Sequence, residues 1–103
     1  MEIIDAATFT AERAWGSRAL MAMDGHAARL HWTDRPYRWH ENTGDEVFVV
    51  LDGMVDMYHD TGDGERCVQL RAGQIAVIRA GERHVAHPRG EARILVIERT
   101  DSD

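Results

Sequence analysis

Apolar and polar positions along the chain change in short blocks, and almost every block ends at a glycine, an aspartate–glycine pair or a proline. Turn signals fall at Asp24-Gly25, Asp34-Arg35-Pro36, Asp52-Gly53, Thr61 to Gly64, Ala72-Gly73, Ala80-Gly81 and Pro88-Arg89-Gly90. Between them lie RALMAM, AARLHWT, YRWH, EVFVVL, MVDMYH, RCVQL, QIAVI, HVAH and ARILVIE, too short for ordinary helices and, at their clearest, rich in Val, Ile and aromatic residues. Asp-Gly between apolar runs marks a hairpin, because both residues tolerate the positive φ of a tight turn. The series predicts an all-β sandwich or barrel. Only TFTAERAW, before the first strand, predicts a helical turn, with Thr8 or Thr10 as its cap.

Three strands, Glu46 to Leu51, Gln74 to Ile78 and Ile94 to Ile97, are apolar on both alternating faces, so both faces should be covered. The barrel interior covers one. A chain this short has little helix to cover the other, which predicts a homodimer; the alternative is strands curling over one another within one chain. Met21, Met23, Met54 and Met57 read as core filler.

The 103 residues and 11.7 kDa suit one domain over residues 1–103, with the barrel core at about 18–99. No run approaches the roughly 20 apolar residues of a membrane span, and the N-terminus lacks a basic segment followed by an apolar one, so the expected setting is soluble and cytoplasmic. A net charge of -6 with scattered arginines argues against a nucleic-acid partner. The single cysteine, Cys67, has no disulfide or CxxC partner and is expected to be a buried or half-buried small residue.

Candidate chemistry lies in two segments, RWHENTGDEVFVVLDG and GQIAVIRAGERH. In a strand, His40 and Asn42 would share one face with Arg38. Glu46 opens the next strand on the face of Phe48 and Val50, where a carboxylate needs a counter-charge, a metal, a hydrogen-bonding partner or an exposed strand end. The two segments together resemble the two motifs of the cupin superfamily: His40, Asn42, Glu46 and Gly53 in the first, Gly73, Arg79, Gly81 and His84 in the second. The resemblance runs from about Leu20 to Glu98. It implies an antiparallel jelly-roll barrel, a double-stranded β-helix, that holds one metal between the motifs. Three positions depart from the pattern: Asn42 stands where a second histidine is usual, Arg79 replaces a proline, and Pro88 stands where some members carry asparagine.

His40, Glu46 and His84 are what remains of the ligand set, two imidazoles and a carboxylate suited to Fe, Mn, Zn or Ni with open coordination positions. Asn42 could add a neutral amide oxygen or instead hydrogen-bond a water at the metal. His31 points either to solvent or into a polar cavity, and Arg38 is either a surface residue or a cavity guanidinium that would favour an anionic ligand. Both are carried as possible ligand contacts. Trp32 and Trp39 could stack on a ligand or pack structurally; Arg79 is expected in solvent, and His26, His59 and His87 at surfaces or turns. Two functions follow: a barrel binding one divalent metal and a small polar or anionic molecule, with metal-dependent enzymes among the families it resembles, or a non-catalytic binding or sensing barrel with a degraded site in which the two histidines hydrogen-bond Glu46. No general base is identifiable, since Glu41 and Asp45 have no specified geometry.

Overall fold

A computed structural model describes residues 1–60 and 62–101; Thr61, the first residue of one expected turn, lies outside the described residues. Among the described residues, nine strands follow a short 3-10 turn at Ala6–Thr8: β1 Gly16–Met23, β2 His26–Thr33, β3 His40–Glu41, β4 Glu46–Asp52, β5 Met54–Asp60, β6 Glu65–Arg71, β7 Ile75–Ile78, β8 Arg83–Pro88 and β9 Ala92–Arg99. The helical turn lies at Ala6–Thr8, ahead of most of the TFTAERAW segment expected to form it, and is capped by Asp5, whose carboxylate accepts from the Ala7 amide at 3.2 Å, and not by Thr8 or Thr10. An aspartate placed before the turn can receive a first-turn amide; Thr8 is itself the turn's last residue.

Two antiparallel sheets form a jelly roll, one ordered β1-β2-β9-β4-β7 and the other β3-β8-β5-β6. The first hairpin follows from local chemistry: Met23 pairs with His26 across Asp24 and Gly25, whose φ values of 50° and 78° are those of a two-residue primed turn. Gly53 carries the chain from one sheet to the other at φ 86°, and a Cβ there would collide with the Glu91 carbonyl and lie 3.0 Å from the Ala92 Cα.

Strand alternation fills the space between the sheets. Phe48, Val50, Ala92, Ile94 and Val96 from one sheet meet Val55, Met57, Leu70 and Ala86 from the other in a single buried cluster. The opposite face of the first sheet stays apolar yet open: Val47 pairs with Val77 and Ile97, Val49 with Ile75 and Leu95, and Ile75, Val77 and Ile97 are 59%, 55% and 39% exposed. Met21 and Met23 are also exposed, contrary to their expected place in the core, because β1 is an edge strand. Cys67 is exposed as well, on the edge strand β6 beside Tyr58. Two-sided apolar patterning thus identified the right strands, while edge position decided which methionines and which cysteine face water.

Candidate metal centre

β3 and β8 pair in register, His40 opposite His84 and Glu41 opposite Arg83, so both imidazoles turn to the same, inward face of their sheet. Their ring centroids are 4.3 Å apart with the planes at 58°. Glu46 comes from the facing sheet as the first residue of β4, on the inward side shared with Phe48 and Val50. One donor atom each from His40, Glu46 and His84 lies within 4.8 Å of the others. Ligand atoms about 2.0–2.2 Å from one ion are roughly 3–3.6 Å apart in an octahedral or tetrahedral shell, so side-chain shifts of up to about an ångström would close the set.

Both rings are oriented by their own backbone. His40 Nδ1 faces the Arg38 carbonyl at 3.0 Å and His84 Nδ1 faces the Glu82 carbonyl at 3.1 Å. A nitrogen facing a carbonyl oxygen can only donate. In each neutral ring the lone pair is therefore left on Nε2, the tautomer a metal requires.

Burial raises the stakes of this arrangement. Glu46 and His84 are 5% and 3% exposed, and Nε2 of His84 stands 3.4 Å from Oε1 of Glu46. That contact attracts an imidazolium, yet it falls short of hydrogen-bond geometry, and His84 Nε2 has no hydrogen-bond partner among the described residues. Asn42 Oδ1 is buried and unpartnered likewise, while Asn42 Nδ2 donates to Glu46 Oε1. Desolvation is the largest single influence on His84 and lowers its pKa. Glu46, the Glu82 carbonyl and the Glu82 carboxylate together outweigh it, so the net shift is upward from 6.5. A buried carboxylate, an orphaned imidazole nitrogen and a second imidazole converging on one point fit a divalent cation in place of a proton.

The cluster opens on a cavity of about 120 Å³ whose walls include Trp15, His31, Tyr37, Phe48, Val96 and Glu98. His31, open between solvent and cavity in the sequence, lines it. Its Nδ1 meets the Trp15 carbonyl at 3.2 Å, and burial, the largest influence, lowers its pKa and favours the neutral ring. A second cavity of about 280 Å³ lies between β5, β6 and β7, with His59, Glu82 and His84 among its lining, so His84 stands in the wall between the two.

Several expected contacts lie elsewhere. Arg38 is exposed, its guanidinium carbon 5.2 Å from the centre of the Tyr37 ring, and it is absent from the cavity wall. The strand begins only at His40, so alternation does not extend back to residue 38. Arg79 reaches solvent, where it approaches Asp45 to 3.9 Å, and Asp45 itself accepts from the Ala80 amide at 3.0 Å. Glu41 is exposed. Trp32 donates to Glu91 at 3.2 Å, and Trp39 lies under Arg83 at 5.5 Å. The tryptophan at the cavity is instead Trp15, held at φ 63° with its indole nitrogen donating to the Arg35 carbonyl at 2.9 Å. No sequence signal marks that backbone conformation. Glu98 was more accessible to inference: it continues the inward parity of Ala92, Ile94 and Val96, the same reasoning that singled out Glu46.

Two antiparallel sheets with a candidate His–Glu–His metal site between them define a jelly roll, and solved structures of that fold are similar in shape. A cupin-2 domain protein from Shewanella frigidimarina is 28% identical, with a TM-score of 0.73 over 85% of this chain and 83% of that one. A cupin superfamily protein from Desulfitobacterium hafniense reaches a TM-score of 0.78 at 20% identity, covering 93% and 87% of the two chains. A hydroquinone 1,2-dioxygenase solved in complex with Fe3+ gives 0.77 at 16% identity, over 87% of this chain and 29% of the other. No family model and no curated protein sequence matches the chain. These neighbours show the cupin fold, and in fold and motif spacing the chain resembles the small stand-alone cupins.

Proposed function

We propose that this cupin-fold protein binds one divalent transition metal, Fe, Mn, Zn or Ni, through His40, Glu46 and His84, and a small polar molecule in the adjoining cavity. The observation that carries the reading is the convergence of three donors from two sheets, with both imidazoles oriented through Nδ1 by backbone carbonyls and Nε2 of His84 facing the carboxylate. Three protein donors leave coordination positions for water or ligand, and a metal so held supplies Lewis acidity or, if redox-active, oxygen chemistry. The cavity wall contributes the carboxylates of Glu46 and Glu98 and no arginine, which supports a polar ligand over an anionic one. Its room is about 120 Å³, so the ligand portion it holds is small.

The protein also acts as a homodimer in this reading, the open apolar face around Val77, Ile75 and Ile97 being covered by the same face of a second copy. The metal reading is tested on untagged protein, stripped and reconstituted with each metal in turn, by elemental analysis after removal of excess. About one ion per chain is expected in the wild type, with loss in Glu46→Gln and in His84→Ala. Absence of stoichiometric metal after reconstitution would overturn it.

A further inference from the structure

We infer that Asn42 is a positioning residue for Glu46 and contributes no ligand atom of its own, so that the centre is built on three protein donors. The inference rests on the metal reading above. Asn42 follows β3 directly and is 2% exposed. Its backbone carbonyl accepts from the Gly81 amide at 3.1 Å, which ties it to the turn between β7 and β8 that delivers His84. Its side-chain amide donates Nδ2–H to Glu46 Oε1.

An amide has one donor end and one acceptor end, set on opposite sides of its carbon. With Nδ2 turned to the carboxylate, Oδ1 is turned away from it, and the structure leaves that oxygen buried and unpartnered. An unsatisfied buried acceptor is a cost, and the fold accepts it here to keep a charge-assisted bond on Glu46. Reversing the amide to offer Oδ1 to a metal would remove that bond and set a carbonyl oxygen against a carboxylate. The geometry instead makes Asn42 hold Glu46 in place, with lone pairs of its carboxylate still free for the ion. The position thus keeps the polarity of the site without adding a fourth protein donor, which leaves one more coordination position to exogenous ligands.

Two measurements test this without reference to turnover. In 15N-labelled protein, one Nδ2 proton of Asn42 is expected well downfield of ordinary side-chain amides, to return toward them in Glu46→Leu, and to stay downfield when Zn is added to the wild type. Movement to an ordinary position on Zn binding would overturn the inference, because it would mean that the amide had left Glu46. In the Co(II)-substituted protein, Asn42→Leu is expected to weaken metal affinity by about 10–100-fold, the usual effect of losing an outer hydrogen-bonding partner, with visible band positions and intensities unchanged. A changed Co(II) spectrum would show that a donor atom had been lost, and unchanged affinity would show that Asn42 does nothing for Glu46. Either result overturns the inference while leaving the metal reading intact. A wild type that binds no metal overturns the metal reading and, with it, the three-donor centre.

Discussion

Replacing Glu46 by glutamine in the metal-free protein separates the charge on this side chain from its shape. The wild-type carboxylate lies 3.4 Å from His84 Nε2, with both side chains buried. At an effective dielectric of about 20, unit charges at that distance attract by about 5 kcal/mol, and desolvation of the two ions opposes this by several kcal/mol. A net contribution of about 2 kcal/mol is the working value. Because the folded pKa of His84 is raised, this stability is fully present below the ordinary histidine value of 6.5 and is lost as pH rises through the folded value. Glutamine keeps an oxygen for the Asn42 amide, so the variant differs chiefly in charge. At pH 6 the variant should melt about 8–16 °C below the wild type, at about 4–8 °C per kcal/mol for a domain of this size. At pH 9, where the wild type buries a carboxylate beside a neutral ring, the variant should be equal or more stable. Thermal melts of chelator-treated protein across this range provide the assay. A deficit of the same size at both pH values would refute the pairing of His84 with Glu46 and assign the loss to packing.

Protons and metal compete for His84 Nε2, so metal affinity should fall as pH drops below the folded pKa of His84, by up to about tenfold per unit, in chelator-competition titrations from pH 6 to 8.5; a flat profile would count against His84 as a ligand. Val77→Asp, on the open face of the first sheet, should halve the mass seen by light scattering, whereas a wild type already monomeric at micromolar concentration would remove the dimer. Gly53→Ala should cost about 2 kcal/mol or more, through the left-handed φ of 86° and contact with the Glu91 and Ala92 backbone, and an unshifted melting temperature would contradict the fit described for that turn.

What could be read from the chain alone divides along the range of the forces involved. Asp24-Gly25 encodes its hairpin locally, and the alternation in EVFVVL and ARILVIE identifies the inward faces that carry Glu46, Ile94 and Val96. Motif spacing brought His40, Glu46 and His84 together although Glu46 and His84 are 38 positions apart (84 − 46). Parity failed for Arg38, where no strand exists to sustain it, and for Met21 and Met23, whose exposure depends on β1 having one neighbour rather than two. Trp15 shows the limit most clearly. Its place at the cavity depends on a left-handed backbone and on the Arg35 carbonyl, neither of which leaves a mark on hydrophobic patterning.

The shortness of β3 bears on how fast the centre can exchange what it holds. Two residues form this strand, and a hydrogen bond from the Tyr37 amide to the Ala86 carbonyl at 3.2 Å continues the seam towards its N-terminal side. It sits at the edge of its sheet, with β8 as its one neighbour. An edge this brief opens at a small fraction of the free energy of global unfolding, whereas β4 and β8, which carry Glu46 and His84, are paired on both sides. An ion seated on the three donors would therefore lose its bond to His40 first, and its residence time would follow the fraying of β3 rather than the unfolding of the barrel. Amide exchange at His40 and Glu41 and the off-rate of the metal would then share one clock.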